Sequence, residues 1–343
     1  MPKNRYYDGP ASDHFNGRFF NTAPETTDRT LADIRRWRST SKRAPWPSHV
    51  PIHPTVPPER TEGTRITLIG HATVLIQTGG INLLTDPVWS NRCSPVQFAG
   101  PRRVCAPGVQ FEDLPPIDAV LLSHNHYDHL DVTTLRRLVR HHDPLILTPL
   151  GNDTIVRRAI PKARIATGDW WDTHAFDGRV DVTFVPAQHW SARGIQDRRM
   201  ALWCGFHVRA GDATVYFAGD TGYGDGSLFE LIRARLGSPD VALLPIGAYA
   251  PRWFMRDQHI DPAEAVRILQ DLNARQALAI HWGVFPLSDE GRDEPVHALT
   301  HALTEHGIAA GRFRHDEPGS VFDLDQAAAS HAPSPCYEEG VSP

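Results

Sequence analysis

The pattern of apolar and polar positions changes character along the chain. TRITLIG (64–70) alternates apolar and polar positions, and TVLIQTGGINLLTD (73–86) sets two apolar runs on either side of Gly79-Gly80, which predicts a hairpin. DAVLLS (118–123) is short and continuously apolar, as expected of a strand buried on both faces. VDVTFVPA, ALWCGFHVRAGDATVYFAGD, DVALLPIG and QALAIHWG predict further strands. Helical stretches over Val132–Arg140, Ser227–Arg235, Asp261–Leu272 and Glu294–Glu305 are interleaved with them. IDPAEAVRIL is a clear helix start, with Asp261 as cap, Pro262 at the first position and Glu264 at the third. Hairpins come early and strand–helix alternation comes later. This order predicts an α/β fold with two sheets face to face and helices outside, a four-layer αββα sandwich.

Proline divides the chain. Residues 1–60 end in RAPWPSHVPIHPTVPPER, whose six prolines exclude regular helix. They form an arm draped over the domain, with one short helix expected around Thr30–Ser39 under an Asp28 cap. The domain spans 61–325, and the Ala-, Ser- and Pro-rich tail 326–343 is expected to be disordered. Across 343 residues, 41% hydrophobic and 22% charged, the composition is globular. A net charge of −5 disfavours general nucleic-acid binding. The four cysteines form no CxxC, which argues against a thiolate metal cage and fits reduced thiols in a cytoplasmic protein. The start carries no apolar signal-peptide core, and no run reaches about 18 apolar residues, so any membrane contact is expected to be peripheral.

The chemistry concentrates at strand ends. SHNHYDHLD (123–131) places three histidines and an aspartate within six residues just after the DAVLLS strand. His124 and His126 are two apart and point the same way on extended chain. Asp128 and His129 follow where a helix should begin. Imidazole and carboxylate without thiolate suit zinc, with iron or manganese as alternatives. Four such groups exceed what one tetrahedral ion accepts alongside ligands from elsewhere, so two ions fit better. Three other apolar runs end in the same residue types: VTFVPAQHW at His189, ATVYFAGDTGY at Asp220 and ALAIHWG at His281. Open sheets gather such ends.

HNHYDH, His189, Asp220 and His281 resemble the HxHxDH…H…D…H pattern of the metallo-β-lactamase-fold hydrolases. The resemblance implies that His124, His126 and His189 hold one metal, that Asp128, His129 and His281 hold the other, and that Asp220 bridges them. LIGHATVLIQ, LLTDPVWSNRCSPVQFAGPRR, PAQHW, FAGDTGYGD and PIGAYAPRWFMRDQHIDPAEAVRI narrow it to the N-acyl-phosphatidylethanolamine-hydrolysing phospholipase D family, over roughly residues 60–323. The arm and the tail match poorly.

Two divalent cations against two carboxylates, Asp128 and Asp220, leave positive charge suited to a phosphodiester. The expected activity is phospholipase D-type hydrolysis by attack of metal-bound hydroxide on phosphorus. Asp86, in LLTDP, follows another strand and is a candidate acceptor for the far N–H of a metal-bound histidine, as is His71. The resemblance implies that Gln258 and His259 face the metals, with His259 assisting the leaving group. It also implies that Trp253 and Phe254 touch an acyl chain, and that the protein is a homodimer meeting a phospholipid. Arg102 and Arg103, in GPRR, could pair with phosphate. Two rival readings remain: a lactonase or other small-molecule hydrolase on the same fold, and a non-catalytic metal-binding protein.

Overall fold

The computed structural model describes residues 4–22 and 27–324. The expectation for tail 326–343 falls outside the described residues. The first sheet is built from β1 (Arg65–Gly70), β2 (Thr73–Thr78), β3 (Ile81–Thr85), β4 (Ala119–Leu121), β5 (Leu145–Pro149) and β6 (Arg164–Gly168). The second contains β7 (Thr173–Phe176), β8 (Val180–Val185), β9 (Gly205–Ala210), β10 (Ala213–Phe217), β11 (Val241–Pro245), β12 (Gln276–Ile280) and β13 (Phe313–Arg314). The last strand, β14 (Val321–Asp323), returns to the first sheet and pairs antiparallel with β1. Strand order is β14-β1-β2-β3-β4-β5-β6 in one sheet and β13-β12-β11-β10-β9-β8-β7 in the other. Gly79-Gly80 forms the predicted hairpin turn, closed by the Thr78–Ile81 pair. Pairing is parallel from β3 to β6 and from β10 to β13.

Helices α1 (Leu31–Thr40), α2 (Val132–His141), α3 (Asn152–Ala159), α4 (Ser227–Leu236), α5 (Arg252–Met255), α6 (Pro262–Asp271) and α7 (Glu294–Glu305) complete the chain. Three apolar layers fix the architecture. One lies between the sheets, one joins α2 and α3 to the first sheet, and one joins α4, α6 and α7 to the second. The DAVLLS strand shows why its sequence is continuously apolar: Ala119 and Leu121 belong to the inter-sheet layer, while Val120 and Leu122 belong to the helix layer. The fold is the expected αββα sandwich.

Two local expectations change. Helix α1 is capped by Thr30 rather than Asp28, because Thr30 and Asp33 form a reciprocal capping box. Asp28 instead pairs with Arg198 and Arg199. The arm is also more than a drape. Phe19 is fully buried in the inter-sheet layer, and Trp37 donates its indole N–H to Asp289. Helices α3 and α5 and strands β5 to β7, β13 and β14 lie outside the elements predicted from the sequence.

Candidate metal centre

Five strands of the two sheets deliver their carboxyl ends to one place. SHNHYDHLD follows β4, Asp86 follows β3, His189 follows β8, Asp220 follows β10 and His281 follows β12. The approach is close. Gly219, at φ +61°, precedes Asp220, and a Cβ there would lie 3.0 Å from the Cys204 carbonyl oxygen and 3.1 Å from Ser123 Cβ. His71, Asp86 and His281 also adopt positive φ, at 58°, 31° and 61°. Strained non-glycine backbone of this kind gathers at functional sites.

Two clusters result. In the first, His126 Nδ1 lies 2.9 Å from His124 Nε2 and 3.2 Å from His189 Nε2. Asp220 Oδ2 lies 3.8 Å from His124 Nε2 and 3.7 Å from His189 Nε2. In the second, His129 Nε2 and His281 Nε2 are 3.3 Å apart, and both approach Asp128 Oδ2, at 3.5 and 3.3 Å. Asp220 also reaches this cluster, with Oδ2 3.2 Å from His129 Nε2 and Oδ1 3.2 Å from His281 Nε2. It therefore stands between the two sets. The donor atoms of each cluster lie within 4.8 Å of one another, with His71 included in the second.

The hydrogen bonds around the clusters decide which imidazole nitrogens carry lone pairs. Asp86 is fully buried; it accepts from Ser123 N–H at 2.7 Å, from Ser123 Oγ–H at 2.6 Å and from His129 Nδ1 at 2.7 Å. With its proton committed to Asp86, the Ser123 hydroxyl can only accept from His124 Nδ1–H, 2.9 Å away. His189 Nδ1 donates to the Gln258 carbonyl at 2.8 Å. In all three rings Nε2 is left as a lone pair turned into the cluster. Lone pairs pointed at one another repel unless a cation lies among them, so the residues fit a pair of metal ions.

Electrostatics point the same way. Burial, then the neighbouring rings His129, His126 and His189, hold His124 well below the usual histidine range. Burial also lowers His189 strongly and lowers His126 to about 3. His281 behaves oppositely: burial works against its charge, but Asp220 and the hydrogen bond to Asp128 raise it to about 9. Burial would raise Asp128 and Asp220, yet His129 and its neighbours hold both carboxyls far below the usual range. In the first cluster an anionic carboxylate beside three neutral imidazoles is the protonation state that binds a metal, whereas in the second the carboxylates that raise His129 and His281 favour protons there that a cation would displace.

The remaining sequence candidates separate. His71 Nε2 lies 3.0 Å from Asp128 Oδ2, and its ring is 3.9 Å from that of His281. His259 Nδ1 lies 3.9 Å from Asp220 Oδ2, is buried and has no hydrogen-bond partner among the described residues. Arg252 positions this segment by donating to the His259 carbonyl and pairing with Asp261 and Glu264 at the start of α6. Gln258 holds His189 through its main-chain carbonyl, while its own Oε1 is buried with no hydrogen-bond partner among the described residues. Phe254 is not in the cluster: its ring packs 4.7 Å from Trp37 of α1. Trp253 is half-exposed beneath Arg36. Arg102 is exposed, whereas Arg103 lies over the Phe285 ring. The Trp37 indole thus packs on Phe254 from the arm.

Two further residues brace the centre. Ser123 stands inside SHNHYDHLD, and its place at the strand end is the signal for it in the sequence. Asn21 carried none, being 168 residues from its partner: its side chain donates to the His189 carbonyl at 2.9 Å and accepts from His189 N–H at 3.1 Å.

Residues 81–282 match the family profile described as "Beta-lactamase superfamily domain", more than half of the chain. The chain belongs to the β-lactamase superfamily. Its fold and paired His/Asp clusters are those of a metallo-hydrolase within that superfamily. The chain is 39% identical over 233 residues to a Caenorhabditis elegans protein named "N-acyl-phosphatidylethanolamine-hydrolyzing phospholipase D 1", covering 66% of this chain and 65% of that one. It is 34% identical to the Saccharomyces cerevisiae "N-acyl-phosphatidylethanolamine-hydrolyzing phospholipase D, mitochondrial", covering 80% of this chain and 60% of that one. The aligned region thus spans less than two thirds of either relative. Among solved structures, an isothiocyanate hydrolase from Delia radicum gut bacteria superposes with a TM-score of 0.61 at 25% identity, covering 76% of this chain and 99% of that one. No helix among the described residues is long and apolar enough to cross a membrane.

Proposed function

We propose that this superfamily member hydrolyses the phosphodiester bond of N-acyl-phosphatidylethanolamine or a related phospholipid, releasing phosphatidic acid and an N-acylethanolamine. The observation carrying the reaction class is the cluster pair joined at Asp220, in which six imidazoles and only two carboxylates face one another. The substrate class is supported by similarity to two proteins named for that activity.

On this reading His124, His126 and His189 hold one ion, Asp128, His129 and His281 hold the second, and Asp220 is shared. Zinc suits these donors, as do iron and manganese. Two such ions supply positive charge for a phosphoryl oxygen and acidify water for attack. The protein contributes fixed geometry. Asp86 and Ser123 lock the tautomers of His129 and His124. The Gln258 carbonyl does the same for His189, and Arg252 holds the segment carrying His259. Burial lowers His259 to about 4, so its ring is neutral at pH 7 and offers one N–H and one lone pair. Its unpartnered Nδ1 is the atom available to meet substrate beside Asp220, consistent with steadying the departing alcohol.

A second reading, a small-molecule hydrolase, is favoured by the superposition of 76% of this chain on nearly the whole isothiocyanate hydrolase. Purified, metal-analysed protein should be assayed on N-acyl-phosphatidylethanolamine, phosphatidylcholine, an aryl phosphodiester and a lactone. Release of phosphatidic acid from the first is the expected result. Lactone cleavage with inert phosphodiesters would overturn the lipid reading.

A further inference from the structure

A cavity of about 680 Å³ opens between the arm and loop 190–200, apart from the metal clusters. Its wall carries Arg5, Arg18, Arg29, Arg198 and Arg199; Asp28 lines it too, while Arg5 pairs with Asp197 at 3.0 Å and Arg29 with Asp257 at 2.8 Å, so five guanidiniums meet three carboxylates among the described residues. Asp28 serves two arginines at once, 2.9 Å from Arg198 Nε and 3.0 Å from Arg199 Nη2. Arg18 reaches backbone carbonyls, those of Arg198 and Gln196, and forms no ion pair among the described residues. Nε of Arg199 is buried and has no hydrogen-bond partner in the described residues.

The cluster is preordered. The Arg198 guanidinium lies 3.6 Å from the centre of the Trp190 ring and donates to the Thr27 carbonyl at 2.5 Å. Gathering guanidiniums costs self-repulsion, which a multiply charged anion offsets. The crowding is local, since the chain as a whole carries −5. The volume exceeds what a free phosphate fills, and the fully exposed Ile195 and the buried Met200 add apolar lining. The Trp190 ring also meets the His126 ring edge-on, 4.4 Å away, so one indole touches both Arg198 of the cavity wall and a histidine of the metal centre. The proposed hydrolysis uses none of these arginines.

We propose that this cavity binds, without cleaving, a phosphomonoester group carried on an organic body, supplied either by a soluble organophosphate or by the headgroup of an anionic lipid. The planar forks of Arg18 and Arg199 match a phosphate's oxygens, and its double charge meets the local excess.

The test uses the full chain. Calorimetric titration with glycerol 3-phosphate probes the soluble source. Flotation with phosphatidylcholine vesicles, with and without phosphatidic acid, probes the lipid source. Saturable binding to either probe is expected, and the responding arm identifies the source. Arg18→Ala and Arg199→Ala should each weaken binding about tenfold, the scale of one charge-assisted hydrogen bond. Asp28→Asn should tighten binding, because it removes the carboxylate that competes for Arg198 and Arg199. A merely structural Asp28 would give the opposite change, so this variant decides the matter even if the arginine variants fail to fold. No saturable binding to either probe, equal flotation without phosphatidic acid as the sole response, or weaker binding in Asp28→Asn would overturn the proposal. Turnover of a soluble aryl phosphodiester by the same samples reports on the hydrolytic site separately.

Discussion

Asp86 touches no cluster donor atom that would face a metal, yet the geometry makes its replacement severe. Its buried carboxylate takes three donors, Ser123 N–H, Ser123 Oγ–H and His129 Nδ1, at 2.6–2.7 Å. Asp86→Ala strands these donors out of reach of water. A hydrogen bond to a charged group contributes about 1.5–3 kcal/mol, and a stranded buried donor costs about 1–3 kcal/mol. These amounts overlap rather than add, so the expected loss of stability is about 3–5 kcal/mol. The damage spreads through Ser123, whose hydroxyl proton is no longer committed, so His124 and His129 are both free to change tautomer. Losing such outer partners typically weakens metal binding about 10–100-fold. Asp86→Asn separates the two effects. Asn tolerates the positive φ of 31°, which Ala does not, so backbone strain is avoided. Its amide N–H₂ nevertheless faces at least one donor, and metal affinity should still fall. The assay is chelator competition on dialysed protein, with thermal melting of the same samples. Wild-type metal affinity in both variants would refute the tautomer-locking argument.

Further predictions concern residues whose roles the fold revealed. Asn21→Ala should reduce metal retention at the His124, His126 and His189 cluster, because His189 loses two main-chain braces; elemental analysis after dialysis checks this, and unchanged content would make Asn21 a simple arm tether. Phe254→Ala should lower stability by about 3–5 kcal/mol, as for other buried rings, while leaving KM for a soluble phosphodiester unchanged; a raised KM with an unchanged melting temperature would restore substrate contact. Burial lowers His207, which belongs to neither cluster, to about 4. The unfolded state binds its proton near pH 6.5 and the folded state does not, so stability falls as pH drops from about 6.5 to about 4, by up to about 3 kcal/mol from this group. His207→Leu should flatten that slope in pH-dependent melting, and an unchanged slope would show that the ring is not buried neutral.

The metal clusters were legible in sequence because each ligand sits where an apolar run stops, and parallel strands place their ends together. Asp261 was legible for a similar reason: its cap, Pro262 and Glu264 are consecutive local signals, and the helix they announce begins there. Phe254 is ambiguous in sequence because aromatic residues beside a site read equally as substrate contact or packing. Its packing partner Trp37 lies more than two hundred residues away, and no local pattern encodes that pairing. Asn21 and Phe19 were invisible for the same reason. Their partners lie in the sandwich, while their surroundings in sequence read as irregular chain. Strand β6 has an exposed, mixed pattern and β7 alternates weakly, because both lie at sheet edges where burial no longer imposes a strong apolar signature.

The central claim is that one chain holds two metal ions bridged by Asp220. Its most direct test is the metal content of the full chain, loaded with excess zinc, iron or manganese and freed of unbound ion by gel filtration. The geometry predicts about two equivalents per chain, the number that a bridged His/Asp cluster pair accepts. One equivalent or none, from protein shown to be folded, would contradict it.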